Sequence, residues 1–440
     1  MVFGFLPNLA QALDKPGFNW KALVLGFSAA HFVFESYLGY RQYRVLQRTK
    51  PPTTLEGIVD DETFNKTQTY GRAKARFGLI SSIYSFLTDT AMIAFDILPL
   101  FWDLAGKAMA TAVPAGFAGP ISQSVLFFLG YNFVSTIISL PVSLYSTFVL
   151  EQKFGFNKQT PKLFFTDLIK SQILIALIGS PVIATFLKIV NYFGKNFFYY
   201  LWLFAFVFQL FMVTVYPILI EPLFNEVTPM ADGEVKQAVE KLSAELSFPL
   251  QEVYQIDGSK RSAHSNAYFY GLPWKKRIVI YDTLLSEFTP QETVAVLAHE
   301  LGHWSLSHTT RIMAVGQLHL FALFLTFSIF LGNKSLYTSF GFKTPSILIG
   351  FLLFNEILSP LNSVLQFGMS VLSRKYEYEA DAFAVNLKYR DDLANSLIKL
   401  HIQNLSTMDA DWLYSSYHYS HPILPERLRA IGWKAEKKSE

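Results

Sequence analysis

Hydrophobic positions run along this chain in long blocks rather than alternating with polar ones. Seven blocks approach the roughly 20 apolar residues that a helix needs to cross a bilayer. They lie near 18–38, 78–102, 122–150, 169–190, 196–220, 312–333 and 345–371. Two long segments, near 221–311 and 372–440, lack such blocks. The expected division is therefore membrane helices one to five over 1–220, a polar segment over 221–311, helices six and seven over 312–371, and a polar C-terminal segment over 372–440. The second block contains Asp89 and Asp96. Such carboxylates either face a protein interior or water-filled cavity, or mark a bent helix whose ends lie elsewhere.

Composition sharpens this picture. Hydrophobic residues make up 51% of the 440, aromatics 16% and charged residues only 16%, with 42 Phe. A soluble protein carries about 25% charge, so a disordered chain is excluded and an ordinary soluble enzyme is not expected. The net charge of +3 gives no footprint for nucleic acid. No cysteine is present, which removes disulfides, thiolate nucleophiles and Cys-based metal sites. The opening MVFGFLPNLA has no basic residue, so no cleaved signal peptide is expected.

Lys and Arg set the expected orientation. With seven spans, one side holds Lys15, Lys21, Lys107, Lys188, Lys195, Lys334 and Lys343, and the other side holds the remaining 30 of 37. The basic side is expected to be cytoplasmic, with both long polar segments and the C-terminus. The final Lys437-Lys438-Ser439-Glu440 resembles a dilysine endoplasmic-reticulum retrieval signal, though a solvated charged tail reads equally well.

Chemistry enters at Phe288-Thr289-Pro290-Gln291-Glu292, a helix start with a capping box and Pro at the first position. The helix carries His299-Glu300-Leu301-Gly302-His303. Residues four apart share a face, so both imidazoles can hold one metal ion, while Glu300 can act as general base toward an activated water. With 9 His, such a motif would arise by chance about 0.008 times. A third ligand must come from elsewhere. Leu306 and Thr309 break the HExxHxxGxxH pattern, and His308 falls about 140° around a continuing helix from His303. After the seventh block, Glu377 and Asp381 lie four apart, with Glu379 turned about 200° away. Glu377 is the expected ligand and Asp381 a carboxylate that could orient a ligand imidazole. By spacing alone an ordinary charged helix fits equally well.

At these residues the chain resembles the type I CAAX prenyl proteases, the zinc endopeptidases that include a-factor-converting enzymes and prelamin A proteases. The resemblance covers nearly the whole chain. Besides the zinc motifs it rests on Ser259-Lys260-Arg261-Ser262-Ala263-His264-Ser265-Asn266-Ala267-Tyr268-Phe269 and on His418-Tyr419-Ser420-His421-Pro422 with Glu426-Arg427. It implies an all-α polytopic membrane protein with seven helices in a barrel around an intramembrane chamber. A gluzincin-type α+β zinc domain would close its cytoplasmic end. It further implies one Zn²⁺ held by His299, His303 and Glu377, with Glu300 as base and Asn266 and His418 near the scissile bond. The implied substrates are farnesylated or geranylgeranylated CAAX proteins, cut to release the last three residues, with an upstream cut in some precursors. The implied location is the endoplasmic reticulum membrane, continuous with the inner nuclear membrane.

From the residues themselves, Ala267–Tyr270 and Arg277–Tyr281 read as a hairpin joined by Gly271-Leu272-Pro273. Its edge could pair with an extended peptide. Asn266 could equally be a turn residue. His418 could donate to a developing oxyanion and Arg427 could hold Glu377 or another carboxylate; a surface hydrogen bond and a surface ion pair are the plain alternatives. Two rival functions remain: a membrane quality-control metalloprotease, and a transporter, channel or receptor with a structural zinc. The charge asymmetry makes one direct prediction. A glycosylation acceptor added at the N-terminus should be modified and one added after Glu440 should not; the reverse pattern overturns the orientation.

Overall fold

Lipid offers no partner for backbone amides, so apolar runs must close their hydrogen bonds internally as helices. The computed structural model describes residues 5–272 and 274–434. The Lys437–Glu440 tail and Pro273 lie outside the described residues. The N-terminal half is a succession of helices: α1 (Leu6–Leu13), α2 (Trp20–Val45), α3 (Asp61–Ala94), α4 (Ile97–Ala112), α5 (Pro120–Tyr145), α6 (Pro161–Leu174), α7 (Ser180–Phe193) and α8 (Phe197–Val215). A mixed segment follows, with β1 (Val227–Pro229), α9 (Glu234–Glu245), β2 (Leu250–Ile256), β3 (Ala267–Leu272), β4 (Lys275–Tyr281), α10 (Asp282–Glu287) and α11 (Pro290–Ser305). The chain then returns to helices: α12 (His308–Phe330), α13 (Lys334–Ser339), α14 (Ile347–Ile357), α15 (Ser359–Asn386), α16 (Arg390–Gln403), α17 (Trp412–His418) and α18 (Leu424–Ala430).

Among the described residues, five helical runs are long and apolar enough to cross a membrane, or six when α14 and α15, bent by 62°, count as one. The expected number was seven. The difference lies in Pro161–Leu223, a single 63-residue run that contains two of the expected blocks. It is not straight. Gly194 takes φ +50, and Phe193 stacks on Tyr200 across the turn at 3.6 Å. In the second expected block the bent-helix reading holds. Asp96 adopts a left-handed backbone, which ends one helix and starts the next, so the block straddles α3 and α4. Its carboxylate meets Lys21 Nζ at 2.6 Å at this junction. Only 6–17% of the apolar windows is buried, as a thin helical wall with two open faces requires.

The connections gather at two ends. Near the N-terminus, Trp20 Nε1 donates to Ser335 Oγ, Asp14 accepts from the Ser335 amide, and Lys21 pairs with Asp96. At the other end Arg41 and Arg48, on and just after α2, pair with Asp411 and Asp409, and Arg261 grips Asp167 of α6 with two nitrogens. One apolar core lies here, joining Leu55 and Phe64 to residues from Met230 to Leu301 and from Ala384 to Ile431. Both polar segments thus fold into one body.

That body holds a four-stranded sheet in the order β1-β2-β4-β3. β3 and β4 form the expected antiparallel hairpin, longer by a few residues, and β2 runs parallel to β4. β1 and β2 were not anticipated. β3 is an edge strand, with one side unpaired in the sheet.

The crossing of α11 over α15 brings the two chemical segments together. A Cβ added at Gly302 would lie 3.2 Å from the Ala380 Cα and 3.2 Å from the Phe383 Cβ, so glycine permits this approach. Gly302→Leu should lower the thermal unfolding midpoint, since overpacking costs about 1–3 kcal/mol. Gly316→Leu, on an open face of α12, should leave it unchanged.

Candidate metal centre

α11 begins with a complete capping box. Thr289 Oγ1 accepts from the Glu292 amide and Glu292 Oε2 accepts from the Thr289 amide. Glu292 also accepts from Lys399 of α16, fixing the helix against its neighbour. One face then carries His299 and His303, and α15 presents Glu377 to them.

His299 Nε2 and His303 Nε2 are 3.2 Å apart. Glu377 Oε2 lies 3.4 Å from His299 Nε2, and Oε1 lies 3.2 Å from His303 Nε2. Ligands about 2.0–2.1 Å from a tetrahedral zinc would be roughly 3.3–3.4 Å apart. The residues therefore fit a metal ion. Two further observations agree. Glu377 Oε2 is buried without a hydrogen-bond partner. Burial and the Arg427 charge push His299 down, but Asp381 and Glu377 outweigh them and lift it to about 9. The pocket attracts positive charge.

The outer nitrogens of both histidines are engaged. His299 Nδ1 lies 2.8 Å from Asp381 Oδ1, so Nδ1–H donates there and the Nε2 lone pair faces the metal position. Asp381 is fully buried and receives two charge-assisted bonds from Arg427, at 2.8 and 2.6 Å. Arg427 Nη1 also stands 3.5 Å from Glu377. Its approach to His299 Nδ1 at 3.3 Å is a contact between two donors, not a bond.

His303 is oriented by residues that spacing had set aside. Its Nδ1 lies 3.0 Å from His308 Nδ1, and His308 Nε2 lies 2.9 Å from Glu379 Oε2. Glu379 accepts from His308, which accepts from His303, leaving His303 Nε2 free for metal. The expectation that His308 points away assumed a continuous helix. In fact α11 stops at Ser305, Ser307 turns left-handed, and α12 restarts at His308. His308 is buried and stacks on Tyr376 at 4.1 Å. The left-handed break carried no glycine to announce it.

Glu300 is adjacent, and burial raises its carboxyl above the usual range. The other expected residues fall outside the trio. Asn266 is exposed at the start of β3; its Oδ1 accepts from the Ala267 amide and its carbonyl from the Tyr281 amide. His418 Nε2 lies 3.2 Å from Glu35 Oε2, without hydrogen-bond geometry. The histidine at the metal group is instead His421, with Nε2 3.3 Å from Glu377 Oε1. The sequence motif held both, and spacing alone could not rank them. His421 is 65% exposed yet recessed, because it faces a cavity of about 840 Å³ that His418, His264, His401 and Asn404 also line.

Comparison with known proteins places this geometry. The profile described as "CAAX prenyl protease N-terminal, five membrane helices" matches residues 42–226, and "Peptidase family M48" matches 229–434. The chain is 46% identical to CAAX prenyl protease 1 of Saccharomyces cerevisiae, over 98% of this chain and 99% of that one. It is 40% identical to the CAAX prenyl protease 1 homolog of Homo sapiens, over 93% and 94%. Its fold matches the crystal structure of S. mikatae Ste24p with a TM-score of 0.90 and 47% identity, covering 95% of this chain and 100% of that one.

The hydrogen-bonding pattern separates a ligand from its supports. Glu377→Ala should abolish stoichiometric zinc. Glu379→Ala should keep it but weaken affinity about 10–100-fold, and Lys375→Ala, an exposed partner of Glu379, should do neither. Competitive chelator titration reads all three.

Proposed function

The chain belongs to the CAAX prenyl protease 1 family of zinc metalloproteases, and from that premise we propose that it removes the C-terminal tripeptide of farnesylated or geranylgeranylated CAAX proteins at a membrane. The observation that carries this reading is the convergence of His299 Nε2, His303 Nε2 and the Glu377 carboxylate within 4.8 Å of one another, beside Glu300. Zinc bound there supplies a Lewis acid that lowers the pKa of water toward about 7. His299, His303 and Glu377 would hold the ion, and Asp381, Arg427 and the His308–Glu379 pair keep those side chains aimed.

Glu300 takes a proton from the attacking water as the new C–O bond forms. It delivers a proton to the departing nitrogen as the C–N bond breaks. Its raised affinity for protons suits that exchange. His421, rather than His418, stands where a donor could stabilise charge on the scissile carbonyl. The free edge of β3 offers backbone groups to an extended peptide, with Asn266 at the entry to that strand.

The membrane supplies the lipid half of recognition. His303 lies five residues before the start of α12, so the metal group stays close to the bilayer. An isoprenyl chain gains about 0.8 kcal/mol per buried CH₂, which would hold the prenyl cysteine nearby. Basic residues on the side bearing the metal group favour a cytoplasmic active site, and the endoplasmic reticulum is the location this reading assigns.

Glu300→Gln keeps shape and removes proton acceptance. Zinc content should stay stoichiometric while turnover of a prenylated peptide falls at least ~10²-fold. Near-normal turnover in this variant would sink the assignment.

A further inference from the structure

The cavity beside the metal group has chemistry that zinc and its supports do not use. His421 marks its catalytic end, 3.3 Å from Glu377. α2 and α3 also line it, and contribute Lys74 and Arg76. Among the described residues, neither cation is paired with a carboxylate. Lys74 Nζ sits 5.0 Å from the Tyr70 ring centre, and Arg76 Nε donates to the Tyr43 hydroxyl. The neighbouring Arg41 and Arg48 are already matched by Asp411 and Asp409. Glu35, the acid of the cavity wall, faces His418 and His31. Neither cation is thus matched by a carboxylate among the described residues, and Glu35 is the one acid among the lining residues, on walls that mix tyrosines and aliphatic groups with histidines and small polar side chains.

Its volume of about 840 Å³ lies within the range of roughly 300–1,000 Å³ of small-ligand sites. A tripeptide leaving group spans about 10 Å when extended, and it ends in an α-carboxylate. Only the true end of a polypeptide offers that group. We propose that this cavity receives the residues beyond the scissile bond and that the positive charge of Lys74 and Arg76, which flank the Ala75 face of α3, draws in the substrate's terminal carboxylate. Anchoring the chain end at a fixed reach from the metal group makes the cavity a ruler: it selects a bond by its distance from the C-terminus.

This inference rests on the CAAX reading above, and one experiment separates the two. Two prenylated peptides are compared, identical except for a free C-terminal carboxylate or a C-terminal amide. Each is assayed with the unchanged enzyme, the Lys74→Gln/Arg76→Gln double variant and Lys74→Arg, with zinc content and thermal midpoint recorded for all. The unchanged enzyme should prefer the free acid about tenfold or more in kcat/KM, chiefly through KM, the scale of a lost charge-assisted bond. The double variant should lose that preference by falling on the acid while staying within about twofold on the amide. Lys74→Arg, which keeps the charge, should retain the preference.

Equal cleavage of both peptides by the unchanged enzyme overturns the ruler and leaves the CAAX reading standing. A double variant that loses activity equally on both peptides also overturns it, and assigns the two cations to folding or to the membrane surface. Cleavage of neither peptide by zinc-loaded unchanged enzyme overturns the CAAX reading itself and the ruler with it.

Discussion

The guanidinium of Arg427 is the charge on which the metal group depends. Glu377 and Asp381 are both buried, and two carboxylates this close repel each other and resist leaving water. Arg427 touches both, so it neutralises the site without competing for the metal position. Its bidentate grip on Asp381 fixes that carboxylate, which fixes the His299 tautomer, which aims Nε2. Removing one partner of a buried charged pair costs about 3–5 kcal/mol, because the other charge is left uncompensated. The alignment of His299 is thus settled by a residue 128 positions further along the chain.

A second constraint is distance between backbones. His299 and His303 belong to one helix and Glu377 to another, so the two axes must approach closely for three short contacts to form. Gly302 makes room on α11 where Ala380 and Phe383 of α15 press against it. The fourth residue of the HExxH motif, which chemistry leaves open, is therefore constrained by packing here. The break at Ser307 has a similar standing. It lets the chain leave α11 toward the membrane and swings His308 behind His303 in the same step. Architecture and ligand orientation share the same few residues.

Much of this was legible in the sequence because it is local. The capping box, the HExxH face and the Glu377–Asp381 face all follow from helical periodicity, and the apolar blocks follow from bilayer thickness. What was not legible depends on non-local or irregular backbone. The Asp96 junction splits one apolar block in two, and the sequence could name Asp96 as the mark of a bend without choosing that over an inward-facing carboxylate. The turn at Gly194, by contrast, falls in the gap that the apolar pattern left between 169–190 and 196–220. His308 was set aside by extrapolating an ideal helix across a left-handed residue, and Glu379, turned away from Glu377 as expected, gained its place only because His308 swings back to meet it. His418 and His421 stand three apart in one motif, and only the tertiary fold shows that the first faces Glu35 and the second Glu377. β1 and β2 stabilise each other across the sheet, which no short window of sequence contains.

The order of these residues along the chain also has a temporal meaning. A ribosome releases the polypeptide from its N-terminus at about 5–20 residues per second. His299 therefore emerges some 128 residues before Arg427, roughly 6–26 s at that rate. In that interval α12, α14 and α15 all leave the ribosome. The hydrolytic group consequently stays unfinished while the apolar helices are being inserted, and a nascent chain carries an unassembled blade past its own translocation machinery.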